Sequence, residues 1–554
     1  MFNKNYRLWL ERYSTQSASH PTQVALRTYF LALTLSLGPS LLPFLTALVS
    51  NKRSKRTGKT ALVKVLYREF GLNGFAFATG IAVWGGSSLR DLWARFESDI
   101  EKPENVDTNT GIRAWISYLN SKLLPRQKTF FAYVIPSLIC IWLLQAGRRP
   151  SNRLNRSEPE PVTLPIPYTL APTPSSDKGR VSPTLDLTLL LVVRALDVVI
   201  QQFVMHRSEA VSYSRLREQQ LQSSETMEKQ VQMEKARRRM TLTTRIDALL
   251  FWACSARIMW CFFYEPQRLP ASYVKWISTL ASVDSRLLRT LQLIREGKWS
   301  YIYGSPSHSS LLREMAAGLK LPAEWGDPRL IPAFGGNQAS EIWKALELQN
   351  RSRVGGIPCD IVHGGVGSSM GLGASCTANT TIRGLKAFAE ALALYFPIHI
   401  LPILLTRPRV LLRLHRVLRI LLASLRSSAF LSAFISLFWA SVCITRTTGL
   451  ARLLPFVSHD FWDGPYGCIL AGCLMCGSSI WIENGYRRGE MALYVLPRAI
   501  RACIPFKWIK NPKAGAVAVE RFFLCIVIEL TIDCCTSSSR GPEGYIPMDA
   551  DLYD

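Results

Sequence analysis

The chain has 554 residues, of which 48% are apolar, and it carries a formal net charge of +26 at pH 7. Its apolar residues collect in long uncharged blocks, which excludes a chain made only of ordinary soluble domains. The basic residues mostly flank these blocks, as in the loops of membrane proteins, and no basic groove is interleaved with aromatic side chains, so no nucleic-acid partner is expected.

Nine apolar segments are predicted to cross a membrane as helices, because a hydrocarbon core of about 30 Å requires about 20 residues per helix. They lie near 29–49, 71–89, 129–146, 185–206, 246–264, 386–406, 427–445, 464–482 and 514–532. The predicted fold class is therefore all-α: a polytopic helical membrane protein with about 7–10 transmembrane helices in two halves.

The composition between these segments divides the chain further. Segments rich in Pro, Ser and Thr have too few apolar residues to form a core, so they are predicted to be linkers. Polar segments with a helical pattern are predicted to be helices outside the membrane. The expected division is a basic flank over 1–28, a first membrane region over 29–149, a linker over 150–184, a membrane region over 185–300 with a basic extramembrane helix at 207–245, a loop region over 301–354, a Cys/His/Gly-rich segment over 355–380, a second membrane region over 381–533 and an acidic tail over 534–554.

Four ionisable residues singled out in the predicted spans are Arg194, Asp197, His399 and Glu529. An ionisable group in the membrane costs a few kcal/mol unless it is paired or faces a water-filled cavity. Arg194 and Asp197 are three residues apart and so share a helix face, which allows an internal pair. His399 has two interpretations: a proton or ligand site, or a side chain near a helix end that reaches the membrane surface.

The second and eighth predicted spans share a glycine pattern, each followed by a Ser-Ser pair. The glycines are Gly74, Gly80 and Gly86 in the second span and Gly467, Gly472 and Gly477 in the eighth. Because glycine allows helices to approach closely in lipid, these positions are predicted to pack helices together. An internal duplication and the ordinary glycine content of membrane helices both account for the similarity.

The loop at 407–426 is strongly basic. Arg409, Arg413 and Arg416 are spaced by four and three residues, which places them on one face of a helix. This face is predicted to bind anionic lipid headgroups, the alternative being a loop that only sets the orientation of the chain.

The segment 355–376 allows several interpretations. Residues 367–371 fit G-x-S-x-G, with Ser369 as the nucleophile and His363 before a Gly-Gly pair, but only a few residues separate the two motifs, which argues against a serine hydrolase. Cys359, His363 and Cys376 supply three ligands of the kind that zinc prefers. A redox pair of the two cysteines and a loop without any ligand are the other interpretations. We predict no enzyme and no cofactor.

Several motifs in the second half resemble the transmembrane protein 135 family. These are Tyr395-Phe396-Pro397-Ile398, the run Ser428 to Ser432, and Ile482-Glu483 followed by Arg487-Arg488-Gly489 and Ala492-Leu493-Tyr494. The run Arg268 to Tyr273, with Trp276 after it, is similar to the family's other membrane half. The order of the two halves indicates a fungal-type member.

The resemblance implies a protein of mitochondrial or peroxisomal membranes. Members of the family are associated with the balance of mitochondrial fission and fusion, with peroxisomes and with lipid handling, and their glycine-rich spans are similar to those of mitochondrial import translocase channel subunits. The expected partners are membrane lipids, and a homo-oligomer is compatible with the sequence. A secondary transporter or channel with an intramembrane site is the alternative.

Overall fold

The structure is a computed structural model that describes residues 21–49, 59–72, 74–100, 125–146, 184–197, 200, 225–305, 308–348, 351–406, 414–510, 515 and 518–523. Every regular element in these ranges is a helix, apart from one isolated bridge between Ser300 and Gly304. The predicted all-α class is therefore confirmed for the described part of the chain. The chain divides into two compact units, Met1–Leu221 with Lys507–Asp554 and Gln222–Phe506.

The described residues of the first unit up to 197 form five helices. They are α1 (Pro21–Val49), α2 (Lys59–Phe70), α3 (Phe75–Ile100), α4 (Pro125–Ala146) and α5 (185–197). The long helix α3 packs against both α1 and α4 through small residues. A Cβ on Gly85 of α3 would lie 2.7 Å from Pro136 of α4, so the two backbones can approach this closely only because Gly85 has no side chain.

Polar side chains of the first unit form hydrogen bonds with one another. Arg521 donates to the Gln145 side-chain oxygen over 2.7 and 3.1 Å, and Gln145 donates in turn to the Thr184 hydroxyl over 3.3 Å. Thr184 donates to Glu520 over 2.6 Å. Glu520 and Arg521, two charged residues of the ninth predicted span, therefore have hydrogen-bond partners, which removes much of the cost of burying them.

The second unit contains most of the described helices. They are α6 (Glu225–Tyr264), α7 (Ala271–Ala281), α8 (Ser285–Arg295), α9 (Ser310–Gly318), α10 (Asn337–Ala345), α11 (Cys359–Val362), α12 (Cys376–Thr406), α13 (Leu414–Cys443), α14 (Leu450–Leu453), α15 (His459–Trp462), α16 (Cys468–Cys476) and α17 (Gly485–Cys503), and Phe506–Lys510 (α18) follows.

The core of the second unit lies where α6, α13 and α16 meet. The rings of Phe263 and Phe438 stack there with centroids 5.1 Å apart and planes 4° apart. Gly472 of α16 lies against the same ring, because a Cβ at that position would be 2.8 Å from Phe438 Cε2. The helices α12 and α13 form an antiparallel hairpin, joined by the hydrogen bond from the Ser432 hydroxyl to the Gly384 carbonyl over 2.8 Å.

Two helices of the described residues are long and apolar enough to cross a bilayer, Thr241–Tyr264 and Leu414–Leu453. Two shorter apolar helices cover Phe131–Gln145 and Cys468–Ile482. The eighth predicted span, 464–482, is thus shorter than expected, since its first residues form a turn and its last six a 3₁₀ helix. Most of the ninth, 514–532, lies outside the described residues.

The basic helix predicted for 207–245 and the predicted span 246–264 are one element where they are described. Residues Glu225–Tyr264 form a continuous α-helix of 40 residues. In contrast, the helical stretch from 271 to 295 is interrupted. Ser282 has a left-handed backbone with φ of 49° and ends α7, and the Asp284 carboxylate accepts from Arg286 N to begin α8.

Candidate metal centre

The structure brings together the three side chains that the sequence offered as metal ligands. The donor atoms of Cys359, His363 and Cys376 all lie within 4.8 Å of one another. The side chains of Cys359 and His363 are buried, and that of Cys376 is half-buried. The segment 355–380 therefore folds into a compact donor cluster rather than an extended loop.

Local backbone chemistry produces this cluster. Pro358 precedes α11, whose first residue is Cys359 and which ends at His363. Gly364 and Gly365 follow with φ of +63° and +77°, a left-handed conformation that residues with a Cβ rarely adopt. The chain can therefore reverse immediately after His363 and return to Cys376 at the start of α12.

A fourth donor comes from the end of α13. The Cys443 thiol lies 3.5 Å from His363 Nε2, although the two residues are 80 positions apart. The donor of Cys376 lies within 4.8 Å of the His363 donor, the same ring that Cys443 contacts. Cys443 lies in the predicted span 427–445, far along the chain from the other ligands, so sequence spacing did not indicate this part of the cluster.

The polar surroundings hold the cluster in place. His363 Nδ1 lies 2.9 Å from the Gly373 carbonyl, and Arg383 donates to the His363 carbonyl over 2.8 Å. The Cys359 thiol contacts the Thr447 hydroxyl at 3.4 Å and Arg351 Nη1 at 3.3 Å. Its hydrogen bond with Cys376, together with burial, raises the pKa of the Cys359 thiol to about 12, which is unlike a reactive cysteine.

Both ring nitrogens of His363 are engaged within this cluster, one with Gly373 and the other with Cys443. Residues Ser368–Met370 form a 3₁₀ turn between left-handed glycines, and not a strand-turn-helix junction. The arrangement therefore lacks the backbone context of an esterase nucleophile, for which Ser369 was considered.

A buried charge network adjoins the cluster. A π-helical turn, Ile444–Thr448, continues α13 and directs Arg446 inward, where its Nε donates to Asp463 over 2.5 Å and its Nη2 to the Ile357 carbonyl over 2.7 Å. The Tyr301 hydroxyl also donates to Asp463. Burial alone raises the pKa of the Asp463 carboxyl, but the charge of Arg446 outweighs it and holds the pKa well below its usual value.

His459 lies beside this network and 3.8 Å from Asp463, too far for a hydrogen bond. Its ring packs against Gly356, which has φ of +69° and leaves no room for a Cβ. Burial lowers the pKa of His459 to about 4, so this side chain is a neutral packing element at pH 7. Nothing in the sequence spacing indicated either Asp463 or His459.

The other candidate residues are dispersed. His399 Nδ1 lies 2.8 Å from the Tyr395 carbonyl, and its Nε2 accepts from Arg487 at 2.6 Å. Arg194 and Asp197 are half-buried on α5, and Arg416 is exposed at the start of α13. Arg409, Arg413 and Glu529 lie outside the described residues.

The six glycines chosen for helix packing fall into two groups. Four lie against another helix: Gly80 against Tyr29, Gly86 against Tyr133, Gly472 against Phe438 and Gly477 against Trp252. Gly74 and Gly467 lie in turns instead, where a Cβ would meet backbone carbonyls of the preceding residues. Their glycine is required by a tight turn and not by the approach of a neighbouring helix.

No protein-family model, curated protein or solved structure matches the chain.

Proposed function

We propose that the chain is a multi-spanning helical protein of a mitochondrial or peroxisomal membrane that organises the membrane and takes part in lipid handling. The proposal includes membership of the transmembrane protein 135 family, which the sequence motifs resemble. The main support for it is that two apolar helices expose large apolar side chains on their outer faces.

Helix α4 of the first unit has this character. Its inner face buries Tyr133, Cys140 and Ile141. The opposite face exposes five large apolar side chains, each by 43–58%: Phe131, Ile135, Leu138, Ile139 and Trp142. A helix that is apolar all round is stable in a protein core or in lipid, and lipid is the surrounding that accounts for the exposed stripe.

Helix α6 of the second unit repeats the pattern. Leu242, Ile246 and Leu249 are each more than half exposed and are spaced by four and three residues, so they form one stripe. This stripe belongs to Thr241–Tyr264, one of the two helices long enough to span a bilayer. An apolar stripe on such a helix supports a lipid-facing surface.

The interior contacts favour an organising role over transport. Glycines bring helices into direct contact in both units, at Gly86 and at Gly477. A cavity of about 20 Å³ in the second unit, lined by apolar side chains with Arg446 and Asp463, has room for about one water and not for a solute. Among the described residues, this cavity therefore does not offer the solute-sized site between broken helices that a transporter needs.

The first experiment tests the membrane and the organelle. The chain carrying a tag at either end is imaged against mitochondrial and peroxisomal markers, and isolated organelles are extracted with alkaline carbonate and treated with protease. We expect co-localisation with one of the two markers and resistance to extraction. Release by carbonate, or a location in the endoplasmic reticulum or plasma membrane, would overturn the proposal.

The second experiment tests the role. Cells without the chain should show altered organelle shape and membrane lipid composition, and the wild-type chain should restore both. Purified chain in sealed vesicles should not accelerate the passage of small ions or polar solutes. Vesicle transport together with normal organelle shape in the deletion strain would instead identify a transporter.

A further inference from the structure

Four donor atoms from three separate segments converge beside the end of α13. We propose that they bind one zinc ion as a closed structural centre: Cys359, His363, Cys376 and Cys443. The inference does not depend on the proposed membrane role, because it concerns only the contacts inside the second unit.

The separation between the Cys443 and His363 donors fits tetrahedral zinc. With Zn–S of about 2.3 Å and Zn–N of about 2.0–2.1 Å, a sulfur and a nitrogen ligand of a tetrahedral site lie about 3.5 Å apart and two sulfurs about 3.8 Å. The separation of Cys443 Sγ and His363 Nε2 is 3.5 Å. The donors of Cys359, His363 and Cys376 are all within 4.8 Å of one another, so shifts of about 1 Å bring them to these separations.

The histidine is oriented as a metal ligand. A carbonyl oxygen can only accept a hydrogen bond, so the contact between His363 Nδ1 and the Gly373 carbonyl places the proton on Nδ1. The lone pair of the neutral ring is then on Nε2, the nitrogen that faces Cys443. Protein zinc sites use this same arrangement, in which a carbonyl fixes the tautomer of the ligating ring.

A buried cation lies beside the site. Arg351 is 4% exposed, and its guanidinium contacts the Cys359 thiol and the Gly355 carbonyl, with no carboxylate within ion-pair distance among the described residues. A buried cation without a counter-ion is costly. Binding of Zn²⁺ releases the three thiol protons to solvent and leaves a centre of formal charge −1, which gives Arg351 its counter-ion.

A disulfide between Cys359 and Cys376 is the competing explanation. It would use two of the four donors and leave the orientation of His363 and the position of Cys443 unexplained. Three thiolates and one imidazole are a soft, four-coordinate set that zinc prefers, with no position left for a substrate. The centre would therefore tie α11 and the start of α12 to the end of α13.

The test measures metal in the full-length chain purified in detergent under reducing conditions without chelators. We expect one zinc per chain by elemental analysis, and tetrahedral thiolate bands in the visible spectrum after exchange with Co²⁺. Cys359→Ser, Cys376→Ser, Cys443→Ser and His363→Gln should each lower the zinc content by at least ~10-fold. The matched control is Cys473→Ser, because Cys473 is also fully buried but belongs to α16.

A second measurement needs no variant and so does not depend on the folding of one. Wild-type chain is treated with maleimide with and without a strong zinc chelator, and the modified cysteines are identified by mass spectrometry. Cys359, Cys376 and Cys443 should become reactive only with the chelator, whereas the exposed Cys503 reacts in both conditions. Zinc-free wild-type chain, a Cys359–Cys376 disulfide, or full zinc retention in Cys443→Ser would each overturn the four-ligand centre.

Discussion

The ion pair of Arg446 and Asp463 should be a major contributor to the stability of the second unit. Both side chains are 3% exposed, and Arg446 Nε lies 2.5 Å from Asp463 Oδ1. Removing one partner of such a pair leaves an uncompensated buried charge, which costs about 3–5 kcal/mol. Since 1 kcal/mol corresponds to roughly 2–4 °C for a domain somewhat smaller than this one, Arg446→Met should lower the Tm by about 10 °C.

The assay is thermal unfolding of the purified full-length chain in detergent, followed by tryptophan fluorescence. The double variant Arg446→Met with Asp463→Asn removes both charges and should therefore lose less stability than the two single variants added together. The control is Lys298→Gln, since Lys298 pairs with Glu296 at the surface, where ion pairs contribute little.

Two outcomes would refute the reasoning. One is a Tm of Arg446→Met within about 2 °C of the wild type. The free energy of unfolding would then fall by less than about 1 kcal/mol, which would mean that the buried Asp463 carboxylate does not need Arg446. The other is strict additivity in the double variant, which would mean that the two charges do not stabilise each other in the folded chain.

Three further predictions follow from buried or exposed single residues. Burial lowers the pKa of His459 to about 4, from an ordinary value of 6.5, so the unfolded chain takes up a proton between these pH values that the folded chain excludes. The free energy of unfolding should thus fall by up to about 3 kcal/mol as the pH is lowered from 6.5 to 4. His459→Gln should flatten the dependence of Tm on pH. The control His415→Gln, at an exposed position, should leave that dependence unchanged. Gly472→Val should lower the Tm by several degrees through its clash with Phe438, and an unchanged Tm would argue against the close packing there. Ile135→Arg should cost about 2–3 kcal/mol of membrane insertion, measurable as a smaller carbonate-resistant fraction, whereas an aqueous stripe would tolerate it without loss.

The helices were the part of the structure that the sequence predicted best. An uncharged apolar block of about 20 residues is too long for an ordinary strand and satisfies its backbone hydrogen bonds internally as a helix, so the positions of these helices follow from composition. Turns were harder to predict, because Gly74 and Gly467 fit the same spacing pattern as the glycines that contact a neighbouring helix. Spacing along the chain does not distinguish a close helix approach from a tight turn.

The three candidate ligands were predictable because they lie close together in sequence, while Cys443 was not found by spacing. A signal for it did exist. Helices α12 and α13 have 31 and 30 residues on either side of one basic loop, so an antiparallel hairpin places the first residue of α12 beside the last residue of α13. Those residues are Cys376 and Cys443. In contrast, the pairing of Arg446 with Asp463 depends on the π-helical turn after α13, for which the sequence carried no indication.

The continuous helix α6 has a mechanical consequence. Its 40 residues extend about 60 Å at 1.5 Å per residue, twice the thickness of a hydrocarbon core. If the apolar half of this helix is embedded in the membrane, the basic half moves with it as a rigid extension, because the helix is continuous between the two halves. A tilt of the embedded half by about 10° would then displace the far end by roughly 5 Å, so that a change in the thickness of the surrounding bilayer is transmitted as a movement of basic residues outside it.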